Sequence, residues 1–313
     1  MTNQGGSVPA LARGGRRLQD SGQAGTGDLD LPTWGTDEVC VSYGKVVALD
    51  CVSLSAPAGQ VTAVVGGDGA GKSTLLRCLA GVLAPGSGTV RRPDKRCAGY
   101  LPASSGIYPD LTVAENLDFR AVGYGMSTRL ARERAAEYLD RAGLTPAADR
   151  LAGQLSGGMR QKLAVIAAML HQPELIVLDE PTTGVDPVSR SGLWWLIARA
   201  AAEGCAIVLA TTYLDEAERC ASVLVLDGGT ALASGTAEKI IAAMPGSLRA
   251  VPAKPAGEAA RRSWRRAGQW RVWDPEPAAD PATPADTGAG AGLITPDLQD
   301  AVTVAALASA GAA

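Results

Sequence analysis

A chain of 313 residues with a formal net charge of −3 has the length for one large core or two modest domains and no bulk electrostatic reason to bind nucleic acid. Its longest apolar run, Leu163 to Leu170, falls short of the roughly 18 residues a membrane helix needs, and Met1 to Asp30 has no apolar core of the kind a secretory signal carries. The six cysteines form no Cys-x-x-Cys pair, and several sit in apolar runs, which argues for buried free thiols in a reducing compartment over a disulfide framework or a metal cluster.

Residues 1–35, rich in Gly, Ser, Gln and Arg with little to bury, read as a disordered leader. Periodic structure starts near Val39: Val39 to Tyr43 and Val46 to Leu54 alternate apolar and polar residues, as half-buried strands do. After the turn Ala58-Gly59-Gln60, the short β-branched run Val61 to Val65 predicts a buried parallel strand. From Thr112 to about Leu170 the period turns helical. Thr112-Val113-Ala114-Glu115 is a capping box, and Arg129 to Ala142 is an amphipathic helix closed by Gly143. Strands return at Leu175 to Leu178, Ile207 to Thr211 and Val223 to Leu226, with Asp186-Pro187 as the cap and first residue of a helix between them. This alternation predicts an α/β body over 36–245 carrying a helical subdomain at about 103–170. Beyond it, 246–313 reads as a largely linker-like extension: a basic, Trp-bearing stretch to Trp273, a Pro/Ala/Asp/Gly-rich linker over 274–292, and a short apolar segment at Leu298 to Leu307.

Three segments carry chemistry. Gly66-Gly67-Asp68-Gly69-Ala70-Gly71-Lys72-Ser73 fits the phosphate-loop spacing G-x-x-x-x-G-K-[ST], with a predicted strand before it and a helix after it. The glycines let successive N–H groups face a phosphate, the helix adds its positive dipole end, Lys72 offers a compact charge and Ser73 a hydroxyl for Mg²⁺. The apolar strand Leu175 to Leu178 ends in Asp179-Glu180. Two carboxylates there need a reason, because unpaired buried charge is costly; Asp179 suits Mg²⁺ and Glu180 suits a base for an attacking water. Leu155-Ser156-Gly157-Gly158-Met159 opens a helix with a second anion nest. On its own it is a plain helix cap; beside a phosphate loop it suits two chains that each close the other's nucleotide.

Together these segments resemble the nucleotide-binding domain of ABC transporters over roughly residues 37 to 245. Gly66 to Ser73 is similar to Walker A, Asp179-Glu180 to Walker B with its catalytic glutamate, Leu155 to Met159 to the signature motif, and Thr183-Gly184-Val185-Asp186 to the D-loop. Tyr108 to Asn116, the signature methionine and Asp215-Glu216-Ala217-Glu218 resemble the subunits that serve type-2 exporters. Pro296 to Asp300 is similar to the end of their small C-terminal extension, which looks truncated or eroded here. The resemblance implies a P-loop NTPase core with an antiparallel β subdomain and an inserted α-helical subdomain. It implies ATP and Mg²⁺ as cofactors. Tyr43 would stack on adenine, unless it is simply a core strand aromatic. Gly66, Gly67, Asp68, Gly69, Ala70, Gly71, Lys72, Ser73 and Thr74 would hold the phosphates, with Ser73 and Asp179 on the metal. Ser156, Gly157 and Gly158 would close the partner's site, and Glu180 would be catalytic. The partners implied are a separate transmembrane permease, docked near Ser104 to Asn116, and a second ABC cassette, identical or different. The implied place is cytoplasmic, peripheral at the inner face of the membrane.

The sequence also departs from the family pattern. Ala103 follows Gly99-Tyr100-Leu101-Pro102 where a glutamine is usual, and Thr212 follows Thr211 where a histidine is usual. Gly67 and Asp68 replace the common Pro and Asn, and Asp68 brings a negative charge toward the phosphates. The sole histidine, His171, lies at the end of the signature helix and reads as structural. Losing a preorganised γ-phosphate donor lowers turnover by about 10² to 10³, so the expectation is near-normal ATP binding with slow hydrolysis. The alternative is a degenerate regulatory subunit with negligible turnover, supplying the weak half of a heterodimeric site; the intact Asp179 and Glu180 oppose it. A soluble ABC ATPase acting on DNA or ribosomes is disfavoured by the acidic balance and the lack of a coiled-coil insert or second cassette in this sequence.

Overall fold

The computed structural model describes residues 32–276 and 292–311. Residues 1–31 of the expected leader lie outside that span. Its end does not: β1 (Thr33–Tyr43) already includes Thr33 to Gly35. This strand turns at Gly44 and pairs antiparallel with β2 (Val46–Pro57). After β3 (Val61–Val65) and α1 (Lys72–Leu79), β4 (Ser87–Arg91) returns to the free side of β1, giving a three-stranded sheet in the order β2-β1-β4.

The central sheet is built from β3, β5 (Ala98–Leu101), β6 (Leu175–Asp179), β7 (Ala206–Thr211), β8 (Ser222–Asp227) and β9 (Thr230–Gly235), in the order β5-β6-β7-β3-β8-β9. All neighbours run parallel except β8 and β9. Every residue of β6 and β7 is buried, so both read as continuous apolar runs instead of alternating ones. The sheet separates two cores. Val64 of β3 points into the one shared with Val39, Leu49 and Leu76, while Ala63 and Val65 point into the one shared with Ile166 and Leu193. That places the carboxyl ends of β3, β6 and β7 side by side, where ligands of wound α/β sheets bind.

Between β5 and β6 run α2 (Val113–Gly123), α3 (Thr128–Ala142) and α4 (Gly157–Met169). The Thr112 hydroxyl accepts from Glu115 N–H at 3.1 Å and the Glu115 carboxylate accepts from Thr112 N–H at 2.7 Å, closing the capping box. Ser127 caps α3, and Gly143, at φ 68°, ends it. Buried Asn116 accepts from Tyr108 N–H and donates to the carbonyls of Tyr108, Leu111 and Thr112, which fixes the loop leading into α2. Asp186 caps α5 (Pro187–Ala202) by accepting from Val188 and Ser189 N–H groups at 3.1 and 3.0 Å. The short helices α6 (Leu214–Ala217) and α7 (Ala237–Ala242) follow β7 and β9.

The C-terminal region corrects the expectation of a largely linker-like tail. The strands β10 (Ser247–Val251), β11 (Ser263–Arg266), β12 (Gln269–Asp274) and β13 (Gly292–Leu293) form an antiparallel sheet in the order β11-β12-β10-β13, with the one-turn α8 (Glu258–Arg261) beside it. The apolar segment at 298–307 belongs to a longer helix, α9 (Leu298–Gly311). Leu248, Trp273 and Val304 form a small core, and Leu298 and Ala301 join the main one. Arg249 pairs with Asp274 at 2.6 Å, and Arg266 and Arg271 converge on Asp297 and the fully buried Asp300. These strands are short and Arg-laced, and β10 pairs across large sequence separations, so local periodicity could not reveal them. The Pro-rich stretch over 277–291 lies outside the described residues.

The cysteines also need correction in part. All six are free, but only Cys78, Cys205 and Cys220 are buried; Cys40 and Cys97 are half-buried and Cys51 is exposed.

Candidate functional site

The loop from Gly66 to Gly71 joins β3 to α1, and its backbone shape requires glycine at both ends. A Cβ on Gly66 would lie 2.2 Å from the carbonyl oxygen of Leu226; one on Gly71, at φ 101°, would lie 2.6 Å from that of Ala48. Lys72, only 5% exposed, turns its ammonium back over the loop and donates to the carbonyls of Gly66 and Gly67 at 2.8 and 3.0 Å. Those bonds hold a positive charge against the backbone of the loop. The Ser73 hydroxyl, one residue on, donates to Asp179 Oδ1 at 3.1 Å, joining the loop after β3 to the end of β6.

Asp179 is 1% exposed, and its Oδ2 has no hydrogen-bond partner among the described residues. Burial pushes its carboxyl above the usual carboxylate range, with the Ser73 hydrogen bond opposing and the charge of Glu180 adding to the rise. An orphaned buried carboxylate oxygen next to a serine hydroxyl is a hard-oxygen donor pair. A divalent cation there would satisfy the oxygen and favour the ionised carboxylate, so these residues fit Mg²⁺.

Glu180 stands at φ 52°, in the left-handed region that a non-glycine residue occupies only when its surroundings hold it there. Three contacts do so: its N–H donates to Ala210 O at 3.1 Å, its carbonyl accepts from the Gln161 amide at 3.4 Å, and its carboxylate accepts from the Thr183 hydroxyl at 3.1 Å. The turn lifts the half-buried carboxylate off the strand end and toward solvent, where a water could be oriented.

Sequence reading missed two supporting residues. One is Gln161, at the start of the second turn of α4. The other is Glu216, 1% exposed, whose carboxylate accepts from Thr211 Oγ1 at 2.7 Å, Thr182 Oγ1 at 2.9 Å and Trp194 Nε1 at 3.2 Å. It ties the end of β7 to the turn after Glu180 and to α5. Its only sequence signal was the acidic run Asp215 to Glu218, which marks no single residue. Thr212, where a histidine is usual, lies on an exposed turn beside this carboxylate's ligand Thr211, and Ala103 lies on the exposed turn after β5. His171 is stacked flat on Tyr124, with centroids 3.5 Å apart and an interplanar angle of 7°, and burial lowers its pKa to about 4.

Ser156 caps α4 by accepting from Met159 N–H at 3.2 Å, and both Ser156 and Gly157 are exposed. A Cβ on Gly158 would lie 2.9 Å from the Ser189 hydroxyl, so α4 seats its first turn closely against the start of α5. Among the described residues the Ser156 side chain shares no hydrogen bond with the phosphate loop. Tyr43, at the end of β1, is 49% exposed and is no core aromatic.

Comparison with known proteins places this geometry. The family model described as ABC transporter matches residues 49–183. The chain is 42% identical over 211 residues to the probable multidrug ABC transporter ATP-binding protein YbhF of Escherichia coli, covering 64% of this chain and 36% of that protein. It is 40% identical to the daunorubicin/doxorubicin resistance ATP-binding protein DrrA of Streptomyces peucetius, covering 62% of each. It is 37% identical to the Nod factor export ATP-binding protein I of Cupriavidus metallidurans, covering 64% of this chain and 69% of the relative. The match thus spans about a third of YbhF and most of the other two. Among solved structures, an ATP-binding subunit of an ABC transporter superposes with a TM-score of 0.62 at 30% identity, over 67% of this chain and 92% of that one. A dimeric ATP-binding cassette, MJ0796, bound to ADP and Pi superposes with 0.60 at 25%, over 65% and 98%. With the phosphate loop, the Ser73–Asp179 link and the signature cap all formed, the chain belongs to the family of ABC transporter ATP-binding proteins.

Proposed function

We propose that this chain binds and hydrolyses ATP with Mg²⁺ and, by closing and reopening a dimer, powers export through a separate membrane permease. The observation that carries the reading is the convergence of Lys72, Ser73 and Asp179 at the carboxyl ends of β3 and β6, with Glu180 beside them. Lys72 meets the β- and γ-phosphates, the loop N–H groups line the β-phosphate, and Ser73 with Asp179 hold Mg²⁺, which neutralises phosphate charge when bound. Glu180 accepts the proton of the attacking water. Tyr43, exposed at the rim of the first sheet, offers its ring to the adenine. Ser156, Gly157 and Gly158 present a capped helix N-terminus to the nucleotide of a second cassette, identical or different.

Hydrolysis is slow in this reading. Thr212 supplies a short uncharged hydroxyl and Ala103 no polar group, so the γ-phosphate side lacks preorganised donors. The permease contact is the loop over 104–116 and α2, where Tyr108 and Phe119 pack edge to face at 5.0 Å and, with Val122, remain exposed. No helix among the described residues is long and apolar enough to cross a membrane. In this reading the chain works at the cytoplasmic face through that partner, and the names of its relatives, multidrug, daunorubicin/doxorubicin resistance and Nod factor export, make a drug or a Nod-factor-like molecule the class of cargo.

Light scattering tests the dimer. With ATP and Mg²⁺ the molar mass is expected to double, alone or with a second, different cassette added, and Ser156→Arg is expected to prevent this while leaving nucleotide binding intact. A Ser156→Arg chain that dimerises as the parent does removes the sandwich from the reading.

A further inference from the structure

The hairpin of β1 and β2 carries two thiols that the nucleotide site does not use. Its ladder sets Val39 opposite Val52 and Val41 opposite Leu49, so Cys40 alone faces two residues, Asp50 and Cys51. This is a β-bulge. Cys51 sits there at φ 51°, a left-handed conformation that bulges usually assign to glycine. A residue with a side chain persists in it only when the neighbourhood fixes it. Here Asp50 N–H donates to Gly229 O at 2.9 Å, and Gly229 N–H in turn donates to Ala70 O at 3.1 Å. The bulge is thereby anchored to the phosphate loop.

The consequence is a close sulfur pair. The two Sγ atoms are 3.2 Å apart, and Cys51 N–H donates to Cys40 Sγ at 3.3 Å. Hydrogen bonds from the Ser87 hydroxyl and from the Cys51 thiol and N–H hold the Cys40 thiol below its ordinary value. Sharing its proton with that sulfur pushes Cys51 up to about 11. Of the two, Cys40 gives up its proton the more readily, and Cys51 is exposed to solvent.

We propose that Cys40 and Cys51 form a modification site that closes to a reversible disulfide by exchange with a low-molecular-weight disulfide. The Cys40 thiolate attacks one sulfur of the small disulfide, whose S–S bond breaks to release the first small thiolate. That thiolate takes the Cys51 proton. Cys51 then attacks the Cys40 sulfur of the mixed disulfide and displaces the second small thiolate, which picks up the proton Cys40 lost at the start. The chain loses two protons and two electrons, and the small disulfide gains them as two thiols. The closed bond fastens the hairpin at its bulge, one step along the ladder from the Val41–Leu49 pair, whose Ala48–Leu49 segment rests against Gly71.

The Asp50 carboxylate lies within 4.8 Å of both sulfurs, so the same three groups form a donor set for a thiophilic cation. The experiment separates the two. The purified full chain is equilibrated in mixtures of reduced and oxidised glutathione with EDTA, quenched in acid, alkylated in denaturant and mapped by mass. In the oxidising mixtures two of the six thiols are expected to be lost, both at Cys40 and Cys51, and reduction is expected to restore them. Cys51→Ser is expected to stop at a single glutathione adduct on Cys40. Six alkylated cysteines in every mixture overturn the proposal, as does a lost pair located elsewhere. A third arm adds one equivalent of Zn²⁺ without glutathione. Protection of Cys40 and Cys51 by zinc alone, reversed by EDTA and never produced by oxidised glutathione, overturns it in favour of a metal site.

Discussion

Two sides of the nucleotide site open from the same edge of one sheet but differ in construction. On the phosphate-loop side, Lys72 is tied to two loop carbonyls and Ser73 to Asp179. On the opposite side, the turns after β5 and β7 present Ala103 and Thr212, both exposed, one a methyl and the other a short hydroxyl. Beneath those turns the support is intact: Glu216 still gathers Thr182, Thr211 and Trp194. The scaffold beneath the Thr212 turn is therefore present whatever side chain that turn carries. Holding a nucleotide and cleaving it are separable tasks, and the proposed slow hydrolysis assigns the difference to side chains at these two positions.

The largest effect that sharpens this contrast comes from the strong side. Lys72→Ala is expected to lower turnover by about 10³-fold and to remove binding of a fluorescent ATP analogue; a binding curve that survives would show that the loop carbonyls, not the phosphates, are the lysine's main partners. Next, Glu180→Gln is expected to lower phosphate release by about 10²- to 10³-fold while keeping ATP bound and the dimer closed. Unchanged turnover there would move the base elsewhere. On the weak side, Thr212→His combined with Ala103→Gln is expected to raise turnover by about 10- to 10²-fold. No gain would mean that the two exposed turns do not limit the rate, and the contrast would fail.

The smallest effect concerns a residue apart from both sides. The His171 pKa falls from 6.5 to about 4, so the folded chain keeps the imidazole neutral where the unfolded chain takes a proton. The stability this group contributes is present above pH 6.5 and is lost as the pH falls toward 4. Urea midpoints are expected to fall less across that window in His171→Phe, which keeps the stacking on Tyr124. Equal slopes in both chains would assign the acid sensitivity to carboxylates.

The parts legible in the sequence were those whose physics is local. The phosphate loop, the Thr112 capping box and the Asp186-Pro187 start of α5 each depend on residues within one turn of chain, and each formed. The apolar runs of β6 and β7 were legible because a strand buried on both faces has one composition. Contacts that join distant segments left no such trace. The Gln161 bond to the Glu180 carbonyl and the partners of Glu216 depend on how helices lie across the sheet. The sheet of β10 to β13 was hidden for the same reason. Its strands have two to six residues, and the partners of Arg266 and Arg271 are Asp297 and Asp300, at the start of α9.

The docking of α9 has a practical outcome for anyone trimming this protein. Leu298 and Ala301 contribute to the principal core, and the helix covers α7 and β9, the outermost strand of the central sheet. A cassette cut back at residue 245 would bare an apolar helix flank next to an unpaired strand edge. Such a fragment invites strand-to-strand association in a test tube, so recombinant work should retain the tail even where catalysis alone is of interest.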